Sequence, residues 1–138
     1  MISIFLQVMD NMNDWCIKTH GESGLTEKVL KSQLSLSECE NQVLKFVQEW
    51  TPPGKCPLAG NSIGQDARFL RKYMPKFMDH LHYRVIDVST IKELSRRWYP
   101  KEFSNVPMKK TTHRALDDII ESIEELKYYQ KAVFKPSE

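Results

Sequence analysis

The sequence predicts an α/β fold in which short parallel strands alternate with amphipathic helices. Residues 56–60 form a short apolar run typical of a buried strand, and residues 83–88 are rich in β-branched and aromatic side chains. A segment with apolar residues at helical spacing follows each of these two runs. Because strands that alternate with helices usually pair in parallel, this order predicts an α/β fold with a parallel sheet.

The beginning of the chain is less regular than the rest. Residues 1–6 are apolar and form either a short strand or a lead-in, which periodicity alone does not distinguish. Residues 10–20 predict a short helix or a loop that carries Trp15 and His20. Gly21 and Gly24 are expected to break the chain after it.

The first strongly predicted helix covers residues 35–50. Ser35 and Glu38 have the spacing of a capping box, in which each side chain bonds the other residue's backbone amide. The sequence Pro52-Pro53-Gly54 is expected to end the helix. Its apolar stripe consists of Leu36, Cys39, Val43, Phe46, Val47 and Trp50.

Three further helices are predicted after the first strand. Residues 65–73 form one of them, and Pro75 either ends it or begins a second short helix. Thr90 and Glu93 predict a second capping box, followed by a helix with Ile91, Leu94 and Trp98 on one face. Residues 101–112 are expected to be a loop, and residues 115–132 the last helix. The stripe of that last helix consists of Leu116, Ile119, Ile120, Ile123 and Leu126.

Length and composition predict one domain. The chain has 138 residues and a net charge of +2, so affinity for nucleic acid would have to come from local patches. No apolar segment approaches the ~20 residues of a membrane span, and residues 1–8 lack the basic start of a signal peptide. Three cysteines without metal-type spacing indicate a reducing compartment and argue against zinc.

Asp66 is the first candidate for chemistry. It follows a predicted strand and begins a helix. The simplest interpretation is an acid that complements the helix dipole in its first turn. The alternative is a metal ligand, because sites in open α/β sheets form at the carboxyl ends of strands.

A second candidate cluster lies at the start of the last helix. His113, Asp117 and Asp118 could be a loop histidine and two ordinary first-turn acids. In a functional interpretation, His113 lies in the loop before the helix and Asp118 points inward from it. A histidine with dispersed acids would then suggest hydrolysis on a divalent metal.

Several other side chains have both an ordinary and a functional interpretation. Trp15 is either core filler or a platform on which a base stacks. Arg84, after Tyr83, either starts a strand or holds a phosphate in its planar fork. Lys109 and Lys110 are expected to be a solvated loop, with contact to an RNA backbone as the alternative.

The motifs taken together resemble the oligoribonuclease family, 3′-to-5′ exonucleases with a DEDDh active site. The resemblance covers residues 14–134 and includes a histidine five positions before an aspartate, matched by His113 and Asp118. The matching segments are Asp14-Trp15-Cys16, Gly60-Asn61-Ser62-Ile63-Gly64-Gln65-Asp66, Tyr73-Met74-Pro75, His82-Tyr83-Arg84, Asp87-Val88-Ser89-Thr90, Lys92-Glu93-Leu94, Arg96-Arg97-Trp98 and His113-Arg114-Ala115-Leu116-Asp117-Asp118.

The resemblance implies an RNase H-like fold and a homodimer that degrades very short RNA, such as dinucleotides, to mononucleotides with two Mg²⁺ or Mn²⁺ ions. Asp66 and Asp118 would be metal ligands, and His113 would be the general base on the attacking water. Trp15 would pack against a base. Four side chains, with a fifth from the partner subunit, would surround the 5′-phosphate: Ser62, Arg84, Ser89 and His20, with Tyr83 from the partner.

The chain departs from the family pattern at its start. The family's first motif, an Asp-x-Glu on an N-terminal strand, has no counterpart in residues 1–8. We therefore expect the C-terminal portion of an RNase H-like exonuclease domain, N-terminally truncated, with the first antiparallel strands missing and residues 1–13 as a divergent lead-in. Such a chain would be inactive alone.

Three explanations are open. The chain is a fragment of an active enzyme, a short inactive form that still dimerises, or a domain completed from elsewhere. The alternative functions are a non-catalytic module for short-RNA binding or dimerisation, and an α/β interaction protein whose acids are structural. Mitochondrion and cytoplasm are both compatible with the family.

Overall fold

The computed structural model describes residues 9–107 and 115–134. The chain divides into two compact units, Met1–Gln33 and Leu34–Glu138. The predictions for residues 1–6, for Lys109 and Lys110, and for His113 lie outside the described residues.

The described elements follow one another in the order helix, helix, helix, strand, helix, helix, strand, helix, helix, helix. They are α1 (Asp14–Glu22), α2 (Leu25–Lys31), α3 (Leu36–Trp50), β1 (Pro57–Gly60), α4 (Ile63–Tyr73), α5 (Pro75–His80), β2 (His82–Asp87), α6 (Val88–Trp98), α7 (Pro100–Ser104) and α8 (Ala115–Ala132).

The first unit contains α1 and α2. The segment around Trp15 is a helix rather than a loop, because the Asn13 side chain accepts a hydrogen bond from Cys16 N at 2.8 Å and caps it. Gly21 lies inside this helix and does not break it, contrary to our prediction. The break falls at Gly24, which has φ of 72° and joins α1 to α2.

The second unit begins with α3, whose predicted capping box is confirmed. Glu38 N donates to Ser35 Oγ at 3.2 Å, and Ser35 N donates to Glu38 Oε2 at 2.8 Å. Hydrogen bonds from the Ser35 side chain and then from the Ser35 backbone amide hold the pKa of the Glu38 carboxyl below its ordinary value. The predicted end at residue 50 is also confirmed, since Thr51 is already extended.

Replacing Ser35 by Ala is expected to lower the free energy of unfolding by about 1 kcal/mol, because the Glu38 amide loses its partner. Ser37→Ala, at an exposed position inside the same helix, is the matched control and should cost nothing. The pKa of Glu38 is lower in the folded chain than in the unfolded chain. Its stabilisation is therefore present at neutral pH and lost as the pH falls through the lowered pKa.

Urea titrations at several pH values would measure these effects. The unchanged chain should lose stability in acid more steeply than a Glu38→Gln variant. Equal free energies for Ser35→Ala and Ser37→Ala would contradict a role for the cap.

Strands β1 and β2 form a two-stranded parallel sheet, which confirms the predicted parallel pairing. Their register pairs Leu58 with Val85 and Gly60 with Asp87. The chain crosses from one strand to the other through α4 and α5. The first strand was expected to be buried; it is half-buried, with Ala59 exposed.

Pro75 begins a helix, which decides between the two predicted alternatives. It occupies the first turn of α5, where the missing amide hydrogen of proline has no cost. The buried carboxylate of Glu40 accepts hydrogen bonds from Lys76 N at 2.7 Å and from Phe77 N at 3.3 Å. A charged side chain in α3 thus satisfies the amides at the start of α5.

Two predictions around α6 were wrong. The helix begins at Val88, so Thr90 is not its cap; the cap is Asp87, whose Oδ1 accepts from Ser89 N at 2.9 Å. Strand β2 ends at Asp87, which caps α6 directly. The capping-box sequence at Thr90 and Glu93 therefore lies inside the helix. Residues 100–104 form the short helix α7 instead of a loop, with Pro100 in its first turn.

The last helix, α8, has the predicted bounds and leaves much of its apolar stripe exposed. Its buried residues are Glu125 and Tyr129. Tyr129 is 0% exposed, and burial, followed by the nearby charge of Glu125, raises the pKa of its hydroxyl to about 12. Within residues 9–107 and 115–134 no helix is long and apolar enough to cross a membrane.

Candidate active site

A cavity of about 650 Å³ opens beside the carboxyl end of β1. The first turn of α4, the start of α6 and one face of α8 form its walls. The lining residues are Ala59, Gly60, Asn61, Ile63, Asp66, Val88, Ala115, Asp118, Ile119, Ser122, Ile123 and Leu126. Its position agrees with the general rule that sites in open α/β sheets lie at the carboxyl ends of the strands.

Asp66 and Asp118, here called the acid pair, both line this cavity. Each lies close to the start of its helix, Asp66 in α4 and Asp118 in α8. Asp117 is not among the lining residues, so the fold distinguishes the two neighbouring acids. Two acidic residues that are far apart in sequence therefore line the same cavity.

The donor chemistry of the acid pair fits a hard divalent cation such as Mg²⁺ or Mn²⁺, which prefers carboxylate oxygens. The number of donors is small. Across the part of the chain that the structure describes, no group of three or more His, Cys, Asp or Glu side chains is placed to hold a metal ion. At the cavity the described residues bring together two acidic side chains, those of Asp66 and Asp118.

Ser62 and Ser89, here called the serine pair, are in contact in the structure. Their hydroxyl oxygens lie 3.2 Å apart, and Ser62 N donates to Ser89 Oγ at 2.8 Å. Ser62 N also lies 2.9 Å from the Asp87 carboxylate, to which it donates. Both hydroxyls belong to residues that begin helices, where anions are favoured.

Ser62 has a left-handed backbone conformation, with φ of 52° and ψ of 32°. A residue other than glycine rarely adopts it, at a cost of about 1 kcal/mol or more. The conformation directs the Ser62 amide toward Asp87 and Ser89, and these two hydrogen bonds offset part of the cost. The strain is thus localised at a predicted site residue.

Arg84 and Tyr83 are exposed and make local contacts. The Arg84 guanidinium lies 5.4 Å from the centre of the Tyr83 ring, within cation–π range. The Arg84 backbone amide donates to His82 Nδ1 at 3.1 Å. Tyr83 is 75% exposed, so its ring is available to another molecule.

Trp15 and His20 lie in the first unit. Their rings contact each other edge to face, with centroids 6.1 Å apart. His20 is half-buried, and its Nδ1 atom is buried without a hydrogen-bond partner among the described residues. Trp15 is 58% exposed. The predicted base His113 lies outside the described residues.

Four polar residues at the site were missed by our sequence analysis. Asn61, Ser122 and Glu125 are joined by hydrogen bonds, and Asp87 links the serine pair to β2. A signal existed for two of them: Ser122 and Glu125 follow Asp118 by four and seven positions, which places all three on one face of a helix.

A parallel sheet with an acid pair at the carboxyl end of a strand is an arrangement suited to metal-assisted hydrolysis. Comparison with protein families identifies the class. The model of a family described as "Exonuclease" matches residues 2–126.

Three relatives narrow the assignment. The chain is 57% identical over 129 residues to the protein named oligoribonuclease, mitochondrial, of Homo sapiens, covering 94% of this chain and 54% of that protein. It is 61% identical to the probable oligoribonuclease of Dictyostelium discoideum, over 94% of this chain and 67% of that protein. The oligoribonuclease of Colwellia psychrerythraea is 58% identical over 93% of this chain and 70% of that protein.

The chain therefore belongs to the exonuclease family and, within it, to the oligoribonucleases, as the sequence motifs predicted. The predicted α/β exonuclease fold is confirmed by the family match and by the parallel sheet among helices. The chain spans about half the length of the Homo sapiens relative, at 54% of it.

Proposed function

We propose that the chain is the C-terminal portion of a 3′-to-5′ exoribonuclease domain that degrades very short RNA to mononucleotides. One observation supports this most strongly: the acid pair lines one cavity at the end of β1. The names of the relatives point to the same activity.

Each part of the site has a proposed role. Asp66 and Asp118 hold Mg²⁺ or Mn²⁺, which, when bound, stabilises charge on the oxygens of the phosphodiester. The serine pair and Arg84 hold the 5′-phosphate through hydroxyl and guanidinium donors. His113 removes a proton from the attacking water.

The remaining proposed contacts involve the base and the cap over the phosphate. Trp15 stacks on a base, a contact worth roughly 1–3 kcal/mol. His20 belongs to the phosphate cap. Tyr83 reaches the substrate of a second subunit, so the functional form would be a homodimer. Mitochondrion and cytoplasm are the proposed compartments, the first because a relative is named mitochondrial.

We propose that this polypeptide by itself cleaves RNA poorly. Two carboxylates hold a pair of divalent cations weakly, because each ion needs several oxygen ligands in fixed positions. Full activity would need the two further acids of an Asp-x-Glu motif.

The experiment compares this chain with an extended polypeptide, the same chain with an Asp-x-Glu strand added upstream. Both would be incubated with Mn²⁺ and a 5′-labelled RNA dinucleotide. Hydrolysis by the extended polypeptide alone is the expected result. Hydrolysis by the bare chain that Asp66→Ala leaves intact would contradict the proposed ligands.

A second candidate is a non-catalytic module that binds short RNA or pairs with a full-length subunit. It is favoured by one observation, that the described residues bring together no group of three metal-binding side chains. Binding of the dinucleotide without hydrolysis in both polypeptides would support this candidate. Arg84→Ala should then weaken binding, because the guanidinium fork is lost.

A further inference from the structure

The side-chain amide of Asn61 connects three elements of the second unit. Asn61 lies between β1 and α4 and is half-buried. Its Oδ1 atom accepts a hydrogen bond from Ser89 Oγ, in α6, at 3.2 Å. Its Nδ2 atom donates to Ser122 Oγ at 2.9 Å and to Glu125 Oε2 at 3.1 Å, both in α8. Both the oxygen and the NH₂ group of the Asn61 side chain are thus hydrogen-bonded.

The contact with Ser122 leads directly to Asp118. Ser122 Oγ donates to the backbone oxygen of Asp118 at 2.7 Å, one helical turn away. Because a hydroxyl has one proton, Ser122 must accept from Asn61 while it donates to Asp118. Asn61 is therefore joined through one hydroxyl to the residue that carries the second acid of the pair.

The contact with Glu125 fixes the orientation of the amide. Glu125 is 3% exposed, and its Oε1 atom lies 3.5 Å from Lys92 Nζ, in α6. A buried carboxylate accepts hydrogen bonds and repels a carbonyl oxygen, so the Asn61 NH₂ group must face it. A flipped amide would place two oxygens against each other.

We propose that Asn61 is a positioning residue. It holds the turn of α8 that carries Asp118 across the cavity from Asp66, and it holds Ser89 beside Ser62. The inference rests on the proposed function of the acid pair, and it adds a residue that acts on the site through Ser122 and Ser89. A metal ion binds tightly only when its ligands are held in fixed positions. Removing a side chain that orients a ligand commonly lowers the metal affinity by about 10–100-fold.

The test measures how tightly Mn²⁺ binds at the cavity rather than how fast RNA is cleaved. Paramagnetic Mn²⁺ broadens the amide NMR signals of nearby residues in the ¹⁵N-labelled chain. In the unchanged chain, the Asp66 and Asp118 signals should broaden together as Mn²⁺ is added. In Asn61→Ala, both signals should require about 10-fold more Mn²⁺ or more, because an ion held by the two acids binds more weakly once Asp118 is displaced.

Two further variants separate positioning from general stability. Asn61→Asp keeps the acceptor for Ser89 but replaces the NH₂ group with an oxygen facing Glu125. It should raise the Mn²⁺ concentration needed for broadening at least as much as Asn61→Ala. Asn105→Ala is the matched control, because this exposed amide donates only to Lys101 O, at 3.1 Å, among the contacts described for it. Melting temperatures of all variants should be measured in parallel.

The outcomes distinguish this inference from the proposed function. Weaker Mn²⁺ binding at an unchanged melting temperature supports positioning, whereas weaker binding in step with a lower melting temperature would show a merely structural role and overturn it. Unchanged broadening at both acids in Asn61→Ala would also overturn it and leave the metal site standing. No broadening at either acid in the unchanged chain would overturn the metal site, and this inference with it.

Discussion

Replacing Asp118 by Asn in the extended polypeptide is expected to reduce dinucleotide hydrolysis by on the order of 100-fold or more. The carboxylate is one of two that line the cavity, and the amide that replaces it carries no charge. A bound metal contributes several kcal/mol to stabilising charge in the transition state, and each 1.4 kcal/mol is about a factor of ten in rate. Loss of one of its charged ligands should remove much of that contribution.

The neighbouring Asp117 provides the matched control. Asp117→Asn removes the same charge, at the next position of the same helix, from a side chain that does not line the cavity. Its effect on hydrolysis should stay within about threefold, since the substitution removes no acidic side chain from the cavity. Asp66→Asn should resemble Asp118→Asn. Similar rates for the Asp117 and Asp118 variants would mean that the acid pair is not the metal site.

The elements with strong local signals were the ones that sequence predicted correctly. Helix α3 begins at its capping box and ends before two prolines, and both signals lie within the helix or next to it. The bounds of α8 follow from a long apolar stripe. Each of these helix boundaries depends on residues a few positions apart, so it could be predicted without knowledge of tertiary contacts.

Predictions failed where two local signals competed. Asp87 and Thr90 could each cap a helix. Which of them does so depends on where the pairing of β2 with β1 ends, and the last paired residues are Gly60 and Asp87. That pairing joins residues far apart in sequence. Pro100 likewise marked a helix start inside a segment that otherwise resembled a loop.

The candidate site shows the same division. The sequence motifs identified Asp66, Asp118, Ser62 and Ser89, and the structure places the first two at one cavity and the last two in contact. The sequence did not reveal the hydrogen bonds of Asn61, whose partners in α8 lie 61 and 64 positions away along the chain. An asparagine after a strand is common in turns, and only the fold shows which groups its amide meets.

The chain is expected to self-associate through the apolar face of α8, and a double variant, Leu116→Glu with Ile120→Glu, is expected to shift it to monomer. The apolar face of α8 consists of Leu116, Ile119, Ile120 and Ile123, which are 67%, 57%, 50% and 49% exposed. Burying one such side chain contributes about 1.5–3 kcal/mol, so a contact between two such faces is strongly favoured. Sedimentation velocity over a range of concentrations measures the shift.

The choice of residues and of control separates apolar burial from charge. Leu116 and Ile120 do not line the cavity, so the double variant should leave the acid pair in place. The control, Gln130→Glu with Lys131→Gln, also lowers the net charge by two, from +2 to 0, at exposed positions of the same helix. A net charge near zero promotes association, so the control should associate at least as much as the unchanged chain. If the unchanged chain sediments as a single monomer at every concentration, the apolar face of α8 does not drive association.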